Sequence, residues 1–195
     1  MGEVTRFRRA RVEDCAKIAA LYGISSDGVA DYIWRKLAGP GEDPLEVGER
    51  RYAREDSVFS YKNCVVAEHN GEVIGMLVAF PMETEPDPGE PEGEEDPVLA
   101  PYGELERPGS YYVCGMALLP EHRGLGLGAR MLGLAREDAR RRGLAEMSLI
   151  VFEQNTGAKR LYERHGFREV DRRPVVPHGL IRYTGDALLM VADVA

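Results

Sequence analysis

The sequence predicts a mixed α/β fold in a single domain, residues 1–195, with about seven strands. Two observations predict it. Apolar residues follow the helical period in some segments, and in others they alternate or run continuously as in strands. The predicted order is a strand, two or three helices, three strands, a helix, a strand, a helix and two strands. The length of 195 residues suits one domain with a full core.

Two helices follow the first predicted strand, which lies in "TRFRRARV". The first helix has acidic residues in its first turn, where the helix dipole favours them, and Gly23 is predicted to end it. In the second helix, Val29, Ile33 and Leu37 share one face. That spacing predicts that this face is buried.

A third helix and a β-hairpin come next. Asp43 is placed as the N-cap of the helix, Pro44 as its first residue and Glu46 as the partner in a capping box. Asn70-Gly71 lies between two apolar runs, in "NCVVAEHNGEVIGMLVAFP". Asn-Gly between such runs is a strong signal for a two-residue hairpin turn.

Residues 82–109 differ in composition from the rest of the chain. They are rich in Pro, Gly and acidic residues, and Arg107 is the first basic residue among them. Such a stretch buries too little apolar surface to offset the entropy lost on ordering. It is interpreted as an acidic insertion loop rather than a second domain.

The remaining chain alternates strands and helices. "SYYVCGMALLP" is apolar on both faces, which predicts a central strand. The following helix runs to about Arg142 and ends at Gly143, and "LAEMSLIVFE" is the next strand. A short helix in "NTGAKRLYERHGF" is capped near Asn155 or Thr156 and ends at Gly166. "REVDRRPVV" and "DALLMVADV" are the last two strands.

Composition argues against several classes of protein. The net charge of -8 argues against a dedicated nucleic-acid binder. There is no apolar run long enough for a membrane span and no signal segment, so the expected compartment is the cytoplasm. Cys15, Cys64 and Cys114 lack metal-ligand spacing, so no metal is expected. They are predicted to be free thiols in a reducing compartment.

The glycines of "RGLGLGA", which lie directly before a helix, have two interpretations. Gly124-x-Gly126-x-x-Ala129 matches a dinucleotide-binding fingerprint, but such a fingerprint follows its strand at once and opens an alternating βαβ unit. The favoured interpretation is Arg123-x-x-Gly126-x-Gly128, in which bare backbone N–H groups at a helix N-terminus form an anion site. A pyrophosphate would fit such a turn.

At this point the sequence resembles the GCN5-related N-acetyltransferases, the GNAT family. "GMALLPEHRGLGLGARML" resembles the strand, loop and helix that bind the coenzyme A pyrophosphate in that family. "VFEQNTGAKRLYERHGF" resembles its second signature, and "FRRARVEDCAKIAALY" its first strand and helix. The resemblance implies a mostly antiparallel sheet, splayed between the fourth and fifth strands and flanked by helices. It also implies acetyl transfer from acetyl-CoA to an amine.

The resemblance implies a role for each matched residue. The pantetheine arm would pair with the strand Cys114–Leu119, including Met116 and Ala117, and the N–H near Leu118 would face the thioester oxygen. Asn155 would also contact the arm, and Tyr162 would protonate the leaving thiolate. The pyrophosphate would be bound beside Arg123 by the backbone of Gly124, Leu125, Gly126, Leu127, Gly128 and Ala129.

Some of these residues have an alternative, purely structural interpretation. Tyr162 could simply pack beside Leu161 and Phe167, and Asn155 could be only an N-cap. The base that deprotonates the acceptor is left open among Glu121, Glu153, His178 and a water chain.

The acceptor is expected to be an amine, and the insertion suggests a cationic one. Its carboxylates would attract a polyamine, an aminoglycoside-like amine or a basic peptide; they are Glu83, Glu85, Asp87, Glu90, Glu92, Glu94, Glu95 and Asp96. The alternative is a solvated loop without a role. The hydrophobic last strands could pair between subunits in a homodimer. The sequence leaves two other functions open: a non-catalytic acyl-CoA-binding domain and a dinucleotide oxidoreductase.

Overall fold

The computed structural model describes residues 5–83 and 96–195. The strands are β1 (Arg6–Arg9), β2 (Cys64–His69), β3 (Glu72–Pro81), β4 (Tyr111–Leu118), β5 (Glu146–Phe152), β6 (Arg168–Pro174) and β7 (Asp186–Asp193). The α-helices are α1 (Cys15–Ser25), α2 (Val29–Leu37), α3 (Pro44–Ala53), α4 (Ala100–Gly103), α5 (Leu127–Arg141) and α6 (Thr156–Arg164). Among the helices of these described ranges, none is both long and apolar enough to cross a lipid bilayer.

The strands form one mixed sheet in the order β1-β2-β3-β4-β5-β7-β6. The pairs β1–β2, β2–β3, β5–β7 and β6–β7 are antiparallel. β4 and β5 are parallel, with Tyr111 opposite Met147 and Tyr112 opposite Ser148. This ladder covers the first two residues of β4, consistent with the predicted splay. The mostly antiparallel sheet with a central fourth strand is confirmed.

Local sequence signals placed several element ends correctly. The hairpin turn has positive φ at both Asn70 (51°) and Gly71 (82°), as a type I′ turn requires. The Asp43 carboxylate accepts a hydrogen bond from the N–H of Leu45 at 2.9 Å and so caps α3. The prediction that Gly23 ends the first helix is wrong, because α1 continues to Ser25.

Contacts group the chain into two compact units, the first comprising residues up to 78 and 115–128. Within it, α2 buries Ala30 and Trp34 rather than the predicted face of Val29, Ile33 and Leu37. The reason is a close approach to α3. An ideal Cβ on Gly48 would lie only 2.7 Å from the Trp34 ring, so the indole occupies the space that a side chain would fill.

We expect Gly48→Ala to destabilise the protein by about 1–3 kcal/mol, because the added methyl overpacks the buried Trp34 ring. Gly23→Ala in α1 is the matched control, because its Cβ would meet nothing within 4 Å. Better helix propensity should then stabilise the protein by about 0.5–1 kcal/mol. Urea denaturation of both variants measures the two effects. Equal shifts in the two variants would contradict this account of α2.

A partly buried ion pair joins β1 to the turn that precedes α1. The Arg8 guanidinium donates to both carboxylate oxygens of Asp14, at 2.7 and 3.0 Å, and its Nε donates to Glu68 at 2.7 Å. The N–H of Arg11 also donates to Asp14, at 2.8 Å. Hydrogen bonding to Arg8, reinforced by that N–H, lowers the pKa of Asp14 below its usual 3.8, although burial opposes this.

This pair should make stability fall in acid. Because the pKa of Asp14 is lower in the folded than in the unfolded protein, its contribution is complete above the unfolded value. It is lost as the pH falls below about 4 and through the folded pKa. We expect Asp14→Asn to destabilise the protein at pH 7 and to differ less from the wild type at pH 3. Denaturation at the two pH values tests this; a difference that does not change with pH would contradict it.

The second unit contains residues 79–114 and 129–195. Its described part shows that the end of the acidic stretch is structured. In the turn before α4, the Asp96 carboxylate accepts a hydrogen bond from the N–H of Val98 at 2.9 Å, and Leu105 after the helix is completely buried. Glu104 pairs with Arg173 on β6 at 2.6 Å. The average composition of residues 82–109 did not indicate this helical turn, because the few apolar residues of the segment are concentrated near its end.

Candidate active site

The glycine-rich turn after β4 has an open backbone. Gly124 and Gly126 have φ of 78° and 76°, which disfavours any residue with a Cβ. A Cβ at either position would meet nothing within 4 Å. The glycines therefore serve backbone conformation and not packing.

The turn leads directly into α5. Leu125 projects outward with 67% of its surface exposed, while Leu127, the first residue of α5, is buried. The first N–H groups of a helix have no partner within the helix, and its dipole places positive charge there. An exposed, side-chain-poor turn at this position can bind an anion.

Arg123 is tied to the end of β4. Its Nε donates to the carbonyl of Leu118 at 3.0 Å, and the side chain is exposed. The N–H of Leu119 donates to the carbonyl of Ile74 at 2.9 Å, which fixes the same strand end to β3. The guanidinium therefore lies at the end of β4, and Arg123 directly precedes the glycine turn in the sequence.

The two faces of β4 differ in exposure. Residues 111, 113, 115 and 117 are buried, so the predicted Ala117 contributes only its backbone. Met116 and Leu118 lie on the other, half-buried face together with Tyr112 and Cys114. This alternation places the predicted pantetheine residues on the strand as expected, but the structure does not test their role.

Tyr162 lies on the buried face of α6. Its ring packs edge-on against Phe167, with 5.8 Å between ring centroids, and 9% of the residue is exposed. Asn155 caps the helix through a hydrogen bond from the N–H of Ala158 at 3.3 Å. The packing contact and the cap that the sequence offered as alternatives therefore both exist.

Sequence reasoning missed Tyr112, whose hydroxyl interacts electrostatically with Tyr162 and with Glu106. Burial raises the pKa of the Tyr112 hydroxyl well above 10, and Cys114, Glu106 and Tyr162 act in the same direction. Partial desolvation also raises the pKa of the Glu106 carboxyl, although the residue as a whole is exposed. The alternation of β4 could have identified Tyr112, but nothing distinguishes Glu106 within an acid-rich stretch.

The three candidate bases lie in different environments. Glu121 is exposed. Glu153 is half-buried and pairs with Arg172 at 3.5 Å. His178 is exposed, and its Nδ1 accepts a hydrogen bond from the N–H of Leu180 at 3.2 Å. No geometry here selects one of them.

Three aromatic rings pack together at the end of β5, and the sequence did not predict this cluster. Phe152 contacts Tyr102 and Tyr183, with ring centroids 6.1 and 5.4 Å apart. Among residues 5–83 and 96–195, the buried Tyr102 hydroxyl has no hydrogen-bond partner, and burial raises its pKa to about 12. This hydroxyl therefore stays protonated at neutral pH.

Within residues 5–83 and 96–195, no cluster of three His, Cys, Asp or Glu side chains could hold a metal ion. Cys15 and Cys64 are buried and Cys114 is half-buried, and none of the three forms a disulfide bond in the described residues. Burial raises the pKa of Cys15 to about 11, which keeps that thiol protonated.

Comparison with known proteins gives one family and several relatives. The model of the Acetyltransferase (GNAT) family matches residues 31–167. A mycothiol acetyltransferase from Parafrankia sp. is 36% identical over 149 residues, 76% of this chain and 42% of its own length. One from Geodermatophilus obscurus is 40% identical over 77 residues, 40% of this chain and 22% of its own length. The chain thus spans less than half the length of these relatives.

A solved structure shows the same fold. An acetyltransferase from Salmonella typhimurium, solved with its cofactor acetyl-CoA, superposes with a TM-score of 0.60. It is 22% identical in sequence, and the match covers 98% of this chain and 95% of that one.

Proposed function

We propose a function from this premise: the chain belongs to the GNAT family of acetyltransferases, enzymes of the transferase class. The family resemblance identified from the sequence is thereby confirmed. The proposed reaction is transfer of the acetyl group of acetyl-CoA to a primary amine of a small molecule or peptide. The amine would attack the thioester directly, without an acyl-enzyme.

The observation that carries the proposal is the glycine turn. Positive φ at Gly124 and Gly126 and the open space around both leave the backbone accessible at the start of α5. The N–H groups of residues 124–129 would bind the pyrophosphate of acetyl-CoA, with Arg123 beside them. The Salmonella protein of the same fold, solved with acetyl-CoA, supports this cofactor.

Two further segments would hold the rest of the cofactor. The pantetheine arm would pair with the backbone of β4 at Met116 and Ala117, with a second contact from Asn155. The N–H of Leu118 would donate to the thioester oxygen, where negative charge develops during attack. When bound, acetyl-CoA supplies the activated acetyl group.

Tyr162 would act as the general acid. A phenol with an ordinary pKa of about 10 is protonated at neutral pH and can donate to a departing thiolate, whose conjugate acid has a pKa near 8.5. The ring packs edge-on against Phe167, which supports the hydroxyl from one side. The base stays open among Glu121, Glu153, His178 and water.

We further propose that the acceptor is cationic. The acidic residues Glu85, Asp87, Glu90, Glu92, Glu94 and Glu95 lie outside the described residues. Of the others, Glu83 is exposed, while Asp96 is buried and accepts a hydrogen bond from the N–H of Val98. The net charge of -8 favours a cationic partner and disfavours nucleic acid.

The oligomeric state, the cytoplasmic location and the single domain also stay predictions. β7 pairs with β5 on one side and with β6 on the other, so both of its edges are used within the chain. A homodimer would therefore use a surface other than this strand.

The test is release of coenzyme A from acetyl-CoA in the presence of a panel of amines. We expect at least one primary amine to accelerate thiol release over hydrolysis by water. Stabilisation by acetyl-CoA without release would instead indicate a non-catalytic acyl-CoA-binding domain. Stabilisation by a nicotinamide nucleotide, and not by coenzyme A, would favour the oxidoreductase.

A further inference from the structure

The side chain of Arg136, on α5, joins two elements of the second unit. Its Nη2 donates to the carbonyl of His165 at 2.7 Å, and its Nη1 donates to the carbonyl of Asp193. His165 is the C-cap of α6, and Asp193 is the last residue of β7. The Arg136 guanidinium therefore connects the C-terminal end of α6 to the C-terminal end of β7.

The His165 carbonyl, which accepts the hydrogen bond from Arg136, lies in the same turn of the chain as Tyr162. The N–H groups of His165 and Phe167 both donate to the carbonyl of Tyr162, at 2.9 and 3.1 Å. The His165 ring hydrogen-bonds the carbonyl of Leu161 at 2.8 Å. A displacement of the His165 peptide would therefore pass directly to Tyr162.

The helix needs an external anchor at this end. With nine residues, α6 is too short to be stable by itself. A guanidinium at the C-terminus of a helix satisfies a carbonyl that has no partner within the helix and complements the negative end of its dipole. Arg136 donates to the carbonyl of His165 and places positive charge at the last turn of α6, while Asn155 caps the first turn.

We propose that Arg136 is a positioning residue that fixes α6, and through it the phenol of Tyr162, for proton donation to the departing thiolate. This proposal rests on the proposed function. Arg136 contacts no reacting atom in this scheme. Its effect should appear in the turnover rate, and not in the binding of acetyl-CoA.

The chain contains a matched control. Arg140 lies one turn further along the same helix and donates to the carbonyl of Val194 at 2.9 Å. It thus makes the same kind of bond to the C-terminal segment. In the described part of the chain, it makes no hydrogen bond to α6. Comparing Arg136→Ala with Arg140→Ala isolates the bond to His165.

The first readout is kinetic, by coenzyme A release with spermidine and tyramine as probe amines. We expect Arg136→Ala to lower kcat about tenfold, with the KM for acetyl-CoA changed less than about twofold. Arg140→Ala should keep kcat within about twofold of the wild type. In a Tyr162→Phe background, the Arg136→Ala effect on kcat should shrink below about twofold, because the group it positions is gone. Arg136→Lys, which keeps a charged donor, should recover part of the rate.

The second readout needs neither acceptor nor cofactor. In protein labelled with ¹³Cζ-tyrosine, the Tyr162 signal is assigned by its loss in Tyr162→Phe. We expect Arg136→Ala to shift or broaden this signal and Arg140→Ala to leave it in place. An unchanged signal in Arg136→Ala, or an equal change in both variants, would overturn the proposal. Full activity of Tyr162→Phe would instead overturn the role of Tyr162 in the proposed function, so the two failures are distinct.

Discussion

Gly126→Val should weaken the binding of acetyl-CoA by roughly tenfold to a hundredfold. A β-branched residue at φ 76° strains the turn by about 1–2 kcal/mol or moves its N–H groups away from the pyrophosphate. The new side chain would also occupy the open space that the bound anion needs. Isothermal titration with acetyl-CoA measures the loss.

Gly133→Ala is the control for this substitution. Gly133 lies within α5, two turns beyond the glycine-rich turn, and a Cβ there would meet nothing within 4 Å. The alanine should stabilise the protein by about 0.5–1 kcal/mol and leave acetyl-CoA binding unchanged. Equal loss of binding in both variants would show that disturbance of α5, and not the anion site, was responsible.

Tyr162→Phe should lower kcat by about 10²–10⁴-fold if the phenol protonates the leaving thiolate. The ring packing on Phe167 is retained, so the free energy of unfolding and the KM for acetyl-CoA should change little. Steady-state coenzyme A release measures the rates.

Tyr61→Phe is the matched control, because it removes a hydroxyl that donates to Glu55 at the surface. It should leave kcat unchanged. A Tyr162→Phe variant that turns over at the wild-type rate would assign the proton to another donor.

Much of the fold could be predicted because its signals are local. The Asn70-Gly71 turn, the Asp43 cap and the helix end at Gly143 each depend on a few adjacent residues and on backbone conformation. The glycine turn was predicted for the same reason. Its conformation is set by the residues within it, and the structure gives it the open backbone that an anion site requires.

The features that the sequence did not predict correctly depend on contacts between residues that are distant in the sequence. In α2, the spacing of Val29, Ile33 and Leu37 fits a buried face as well as that of Ala30 and Trp34. Only the missing side chain at Gly48 decides between them. The bonds of Arg136 likewise depend on carbonyls 29 and 57 residues away. No periodicity or cap signal encodes such partners.

The binding of coenzyme A and of pantetheine, compared by calorimetry, tests the central claim most directly, because pantetheine lacks the pyrophosphate. If the glycine turn binds that group, coenzyme A and acetyl-CoA should bind at least about a hundredfold more tightly than pantetheine. Gly126→Val should remove most of that difference. Failure of coenzyme A and acetyl-CoA to bind at millimolar concentration, or equal affinity for pantetheine, would contradict the account.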